Sequence, residues 1–268
     1  MKPTGTLTKR RYFYGAVMKK EQDRQSPSTL FEGMTSISAV INGGHRSIEK
    51  VMFDKCLIDK KRRELAYIEK TANTHGFEIE FCQREDIDAV STGTSHGGIV
   101  AQCGERTIPK LSEFKPGSGF YLMLEGIEDP YNFGYAIRSA YAAGVDAIIL
   151  TPRNWMSAAG VVCRSSAGAS ELLPMYEAET NDNVCEHFKH GGCRVACAGI
   201  RNSQSAFDAD LKKPLLLVVG GEKRGISSAT LANADIIVRL DYGRDFRGSL
   251  SAASAASILS YEVLRQNR

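Results

Sequence analysis

The sequence predicts an α/β protein of two modules, a small α/β domain followed by a larger one built on a mostly parallel sheet. Three observations carry this. Short, continuously apolar runs of strand length alternate with helix-length runs along most of the chain, and strands apolar on both faces belong to a parallel sheet covered by helices. Between Gly104 and Gly119 the alternation breaks, with Pro109, Pro116 and Gly117 set among charged residues, which is linker composition. A 43% hydrophobic content over 268 residues supplies a core to each of two modules.

The elements follow in order. The first 27 residues are polar and basic and end at Ser26-Pro27-Ser28, as in a terminal arm rather than a domain. Residues 28–104 form the small domain. An apolar helical stretch Met34–Ile41 is closed by Gly43-Gly44, Val51-Met52-Phe53 reads as a strand, and a charged helix Lys60–Thr74 is stopped by Gly76. A strand Phe77–Phe81, a short helix near Glu85–Val90 and a strand Gly98–Cys103 complete it. Residues 105–118 are the linker. In 119–268, strands are expected at Phe120–Leu124, Ala147–Leu150, Arg194–Ala198, Leu215–Val219 and Ile236–Leu240. Helices fit between them at Tyr135–Ala143, Met156–Ser165, Asp182–Lys189 and Ser227–Ala232, and a longer one runs from about Ser251 to Arg265.

Composition narrows the function classes. No run approaches the roughly 18 apolar residues of a membrane span, and Met1-Lys2-Pro3-Thr4-Gly5 does not open a signal peptide. Seven cysteines, an odd number without a disulfide spacing, fit free thiols in a reducing cytoplasm. A net charge of +3 demands no polyanion, but Lys9-Arg10-Arg11, Lys19-Lys20 and Lys60-Lys61-Arg62-Arg63 cluster in the first quarter of the chain, where they form either solvated faces or phosphate contacts.

A parallel sheet invites a nucleotide-type ligand at the carboxyl ends of its strands. No G-x-G-x-x-G, no G-x-x-x-x-G-K-[ST] and no G-x-S-x-G elbow is present, which sets aside the ordinary dinucleotide, P-loop and hydrolase readings. Three other elements stand out. Phe120–Leu124 leads into Asp129-Pro130-Tyr131-Asn132-Phe133-Gly134 and a helix carrying Arg138, where Gly134, one turn earlier, leaves room beside the guanidinium. Asn132, just before that helix, can cap it or face the cleft. Leu215–Val219 opens into Gly220-Gly221-Glu222-Lys223-Arg224-Gly225, whose glycines permit close backbone approach to a flat ligand. Ile236–Leu240 is followed by a basic loop and then Ser249-Leu250-Ser251-Ala252-Ala253, a small-residue helix start that packs closely.

In this order these elements resemble the three motifs of the SpoU (TrmH) family of S-adenosylmethionine-dependent RNA 2′-O-ribose methyltransferases, over Phe120 to Arg265. Glu32–Cys103, with Gly33, His45-Arg46-Ser47-Ile48 and His96-Gly97-Gly98-Ile99-Val100, is similar to the L30e-like substrate-binding domain that precedes the catalytic domain in many members. The resemblance implies a SPOUT-type trefoil-knotted α/β fold, an exception to the rule that chains stay unknotted. It implies S-adenosyl-L-methionine held by loops near Gly199-Ile200, Gly220–Gly225 and Val238–Leu250, with Ile200, Gly220, Gly225, Val238, Leu240 and Leu250 at cofactor positions. It places Arg138 at the ribose hydroxyl with Asn132, Glu222 and Ser249 around it. Because a guanidinium ordinarily titrates above about 12, positioning the hydroxyl and stabilising developing oxyanion charge suit Arg138 better than removing a proton. The same resemblance implies an RNA substrate, rRNA ahead of tRNA, and a cytoplasmic homodimer.

The chain departs from the family pattern in two places. Ser249-Leu250-Ser251 stands where members usually read Ser-Leu-Asn, and Val238-Arg239-Leu240 stands for the usual Ile-Pro-Met. The loop Asp241–Gly248 is longer than usual and brings Arg244 and Arg247 toward the cleft as candidate phosphate contacts. Loss of the asparagine keeps open a non-catalytic RNA- or ribosome-binding protein with the same fold, against which the retained Asn132, Arg138, Glu222 and Ser249 weigh; a generic nucleotide-binding α/β protein is the remaining alternative. Cys185, His187, His190, Cys193 and Cys197 crowd together but contain no C-x-x-C pair, so no metal is expected. His45, His96 and Trp155 read as packing or polar contacts.

Overall fold

The computed structural model describes residues 29–151 and 158–268. The arm expected over 1–27, and Asn154, Trp155 and Met156, lie outside the described residues.

The first module is a four-stranded sheet of order β1-β4-β2-β3. It comprises β1 (Thr29–Glu32), β2 (Ile48–Asp54), β3 (Glu78–Cys82) and β4 (Ile99–Cys103), with helices α1 (Gly33–Gly43), α2 (Arg62–His75) and α3 (Arg84–Val90). β4 runs antiparallel to both neighbours, and β2 and β3 are parallel. The glycine stops work as the sequence suggests. Gly44 (φ 66) and Gly76 (φ 77) take the left-handed conformation, and their N–H groups bond back to Val40 and Ala72, closing α1 and α2.

In the second module every strand pair is parallel, in the order β7-β6-β5-β10-β8-β11-β9. The strands are β5 (Phe120–Glu125), β6 (Ala147–Leu150), β7 (Met175–Glu177), β8 (Arg194–Ala198), β9 (Gln204–Ser205), β10 (Leu215–Gly220) and β11 (Ile236–Arg239). The helices are α4 (Pro130–Ala142), α5 (Ala159–Ser165), α6 (Ala169–Leu172), α7 (Asp182–His190), α8 (Ser228–Ala232) and α9 (Ala252–Gln266). β5 and β10 lie side by side at the centre. Leu122, Leu124, Leu215 and Leu217 pack with Ile137, Ala256 and Leu259 of α4 and α9 on one face. Tyr121, Met123, Leu216 and Val218 pack with Val184 and Phe188 of α7 on the other. Chain order reverses between β5 and β10, so the loops leaving their carboxyl ends diverge and open a crevice there.

Three details differ from the sequence reading. α4 begins at Pro130 rather than Tyr135, because the Asp129 side chain accepts from the Asn132 N–H (2.7 Å) and proline suits the first turn. β1, α6, β7 and β9 were not anticipated, being four residues or fewer. The segment 105–118 is tied to the second module. Leu111 is buried, Phe114 packs against the rings of Tyr121, Tyr176 and Phe188, and Gly117 N–H donates to the Tyr121 hydroxyl (2.8 Å).

The modules share a seam in which α5 and α6 lie against β1 and α1. A Cβ on Gly43 would collide with the Glu171 carbonyl, and one on Gly160 with that of Leu30. Arg46, stacked 5.0 Å over Phe31, pairs with Glu171 at 2.9 Å, both side chains at most 5% exposed. Arg106 caps the seam by donating to the carbonyls of Ser170 and Leu173. Glu32 accepts from Thr92, Gly93 and Arg164 (2.6 Å). Burial opposes its ionisation, but these hydrogen bonds and the Arg164 charge outweigh burial and hold the carboxyl below its ordinary value.

Candidate active site

Glu222 is the node of the site. It sits in the turn after β10, where Gly225 (φ 64) donates from its N–H to the Gly221 carbonyl (2.9 Å). A side chain on Gly220 would strike the backbone of Gly225 and Ile226, so glycine is what lets the turn fold back on its own strand. The Glu222 carboxylate accepts two bonds at Oε1, from Asn132 Nδ2 (3.0 Å) and from the N–H of Ala252 (3.0 Å). One oxygen thus fastens the first turn of α4 and the amino end of α9, segments 90 and 30 residues away in sequence. Because α9 begins there, a carboxylate also suits the partial positive charge of its amino end.

Ser251 caps α9 directly, its Oγ accepting from the Ser254 N–H (3.1 Å). Where the family usually has asparagine this chain has serine, and both are preferred amino-cap residues. Ser249 beside it is exposed and Leu250 is half-buried, with its N–H donating to the Tyr242 hydroxyl (3.3 Å). Ser257 donates to Ser139 Oγ (2.7 Å), joining α9 to α4.

Arg138 is on the exposed side of α4, about 9 Å along the axis from Asn132 at 1.5 Å per residue. Among the described residues it makes no hydrogen bond or ion pair, so its five donors are available to a ligand. The reading of Gly134 is corrected. Its missing side chain makes room not for Arg138 but for α5, since a Cβ there would clash with Ser165 Oγ and approach the Val162 carbonyl. Asn132, too, lies in the first turn of α4 rather than before it.

The residues assigned to the cofactor fall around the carboxyl ends of β8, β10 and β11. Gly199 N–H donates to the Val238 carbonyl (2.9 Å), joining the first and third loops. Val238 is buried, Leu240 half-buried, and Ile200 is 76% exposed. Arg244 and Arg247 are both exposed in the loop before α9.

One feature escaped the sequence reading. Glu125, at the end of β5, is 4% exposed; its Oε1 accepts from Asn181 and from the Ser227 N–H (3.0 Å), while its Oε2 has no partner among the described residues. With Glu128, Thr151 and Arg224 it lines a cavity of about 580 Å³. An acidic residue before Gly126 (φ 71), at the end of a buried strand, was the available signal. The cysteine–histidine crowd forms no group of three or more possible metal ligands among the described residues. His187 donates to the Phe114 carbonyl (2.9 Å), and burial pushes the Cys185 and Cys197 thiols up to about 11 and about 12.

Two α/β modules, the second a parallel sheet with Asn132 and Arg138 on the helix after β5, Glu222 in the turn after β10 and Ser249 in the loop before α9, have the arrangement of the two-module SPOUT class of proteins. Comparison with known proteins places the chain more closely. Residues 119–261 match the model of the SpoU rRNA Methylase family, and residues 30–109 match that of RNA 2′-O ribose methyltransferase substrate binding. The chain belongs to the SpoU family. It is 26% identical over 242 residues to the 23S rRNA (guanosine-2′-O-)-methyltransferase RlmB of Shewanella oneidensis, covering 88% of this chain and 96% of that one. It is 30% identical over 199 residues to RlmB of Pseudomonas aeruginosa, covering 71% and 79%. Its fold matches the AdoMet-bound SpoU methyltransferase AviRb from Streptomyces viridochromogenes with a TM-score of 0.71 at 24% identity, over 89% of this chain and 90% of that one.

Proposed function

We propose that the protein is an S-adenosylmethionine-dependent methyltransferase that modifies a ribose 2′-hydroxyl in RNA, with rRNA the substrate ahead of tRNA. The observation that carries this is the Glu222 node, which gathers the three motif segments of the family into one place, with Arg138, unpaired among the described residues, less than two turns further along α4. The two RlmB relatives named above are 23S rRNA (guanosine-2′-O-)-methyltransferases.

The cofactor positions fit their ligand in chemistry. Ile200, Leu240 and Leu250 are apolar side chains left partly or largely uncovered at the ends of β8 and β11 and before α9, as an adenine face requires. When bound, S-adenosylmethionine supplies an electrophilic methyl on a sulfonium. The chain's own residues then do three things. Arg138, a fixed cation with free donors, holds the 2′-hydroxyl or its adjacent phosphate and stabilises negative charge growing on the oxygen. Glu222, with Oε1 occupied by two donors, keeps Oε2 to accept a hydrogen bond from the attacking hydroxyl and to take up its proton as the methyl passes from sulfur to the ribose oxygen. Asn132 fixes the orientation of the Glu222 carboxylate through its amide, and the exposed Ser249 hydroxyl is open to the substrate.

The working unit is a homodimer. α4 and α9, packed together, expose Tyr131, Tyr135, Tyr141, Ile258 and Tyr261 at 43–50% each, and large apolar side chains exposed on neighbouring helices are of the kind that marks an interface. Arg138 lies in the α4 stripe between Tyr135 and Tyr141, so a second copy would border the site. Tyr135→Glu with Ile258→Asp should give monomers in sedimentation experiments; a wild-type monomer would contradict this part. Among the described residues no helix is long and apolar enough to cross a membrane, and we place the protein in the cytoplasm, with its RNA. The test of the reaction is nucleoside analysis of RNA incubated with enzyme and labelled S-adenosylmethionine. Label in a 2′-O-methylnucleoside is expected, and label in a base would refute the assignment.

A further inference from the structure

The loop between β11 and α9 carries more than its two arginines. In the run Tyr242-Gly243-Arg244-Asp245-Phe246-Arg247-Gly248 every residue is exposed, although two are aromatic. Phe246 is 55% and Tyr242 40% exposed, their rings packed edge to face at 5.7 Å. The Phe246 ring also lies over Gly248, where a Cβ would meet it at 2.5 Å. It is therefore held by Tyr242 and the glycine backbone, with more than half its surface open. Tyr242 is itself anchored, its hydroxyl accepting from the Leu250 N–H at 3.3 Å. The platform is thus built onto the segment Ser249-Leu250-Ser251 that enters the site.

Charge around the ring selects what it meets. Asp241 is paired with Arg239 (2.8 Å), whereas Arg244 and Arg247, two residues before and one after Phe246, are exposed and without partners among the described residues, with Asp245 the acidic residue between them. An open aromatic ring on a loop that also carries two unpaired guanidiniums suits a flat group on a polyanion, while the two like charges disfavour a ligand bearing a sulfonium cation.

Resting on the reading of the protein as an RNA methyltransferase, we infer that Phe246, seated on Tyr242, is a base-stacking platform for single-stranded RNA at the mouth of the site, with Arg244 and Arg247 on the adjoining phosphates. A stacked neighbour would fix the register of the target ribose opposite Arg138, so the platform acts in binding and not in the methyl transfer itself.

The test uses the whole protein and a short single-stranded RNA containing 2-aminopurine, whose fluorescence falls on stacking. Phe246→Ala should weaken RNA binding roughly 5- to 100-fold and abolish the quenching, while Phe246→Trp keeps both. S-adenosylmethionine affinity, melting temperature and oligomeric state should stay unchanged. Arg244→Ala and Arg247→Ala should each lower the salt dependence of binding by about one unit of slope and leave the quenching in place. Unchanged RNA affinity in Phe246→Ala overturns the proposal. An equal loss of S-adenosylmethionine binding overturns it by giving the ring to the cofactor, and dissociation of the dimer overturns it by giving the ring to a second copy. Quenching is read without methyl transfer, so wild-type protein that stacks RNA but transfers no methyl would sink the catalytic assignment and leave the platform standing. Transfer unaffected by Phe246→Ala would do the reverse.

Discussion

The seam between the modules and the edge of the second sheet both depend on arginine, in opposite ways. At the seam Arg46 is buried against Glu171, and Arg106 is spent on two backbone carbonyls. At the site Arg138, Arg244 and Arg247 stand exposed without partners among the described residues. A buried guanidinium must be paired or it costs heavily, so the seam charges fix one geometry of the two modules. An exposed, unpaired guanidinium holds nothing in place within the fold. Its donors are open to a ligand.

That contrast can be broken most forcefully at Glu171. Glu171→Ala strands the Arg46 charge in the seam and should lower unfolding free energy by about 3–5 kcal/mol in urea titrations, whereas Arg138→Ala should stay within about 0.5 kcal/mol of wild type. Equal effects would erase the distinction between structural and functional arginines. A smaller effect is expected where the site borrows from helix chemistry. Ser251→Ala should cost about 1 kcal/mol through loss of the α9 cap, and Ser251→Asn should restore it; an unaffected Ser251→Ala would show that the cap is idle.

The smallest effect is that of pH on Glu32. Its folded pKa lies below the usual 4.5, so its contribution is fully present above that pH and is lost as pH falls through the depressed folded value. Stability measured downward from pH 5 should therefore decline less steeply in Glu32→Gln than in wild type. Parallel declines would remove Glu32 from the seam's acid response.

Much of the fold was legible because the signals are local. Gly44 and Gly76 end helices where a left-handed residue is needed, and the apolar runs Ala147–Leu150 and Arg194–Ala198 are strands at those bounds. Asp129-Pro130 announced the true start of α4 but lay outside the apolar periodicity that set the reading. β7 and β9, of three and two residues, leave no periodicity to detect. The site was legible only as separate motifs. That Glu222 Oε1 serves Asn132 and Ala252 together depends on pairings across 90 and 30 residues, which no local pattern encodes. The contact of Gly134 with Ser165 was misjudged for the same reason, since it depends on a neighbour supplied by the tertiary fold.

The central claim, that the free guanidinium at the edge of the sheet serves methyl transfer and not the fold, is tested most directly by comparing wild type with Arg138→Ala. The measurement is calorimetric titration of S-adenosylmethionine, followed in the same preparation by methyl transfer to total unmodified RNA. The account predicts equal cofactor binding by the two proteins and transfer reduced by roughly 100- to 1000-fold in the variant. Transfer by Arg138→Ala at the wild-type rate, or no binding of S-adenosylmethionine by the wild type, would contradict it.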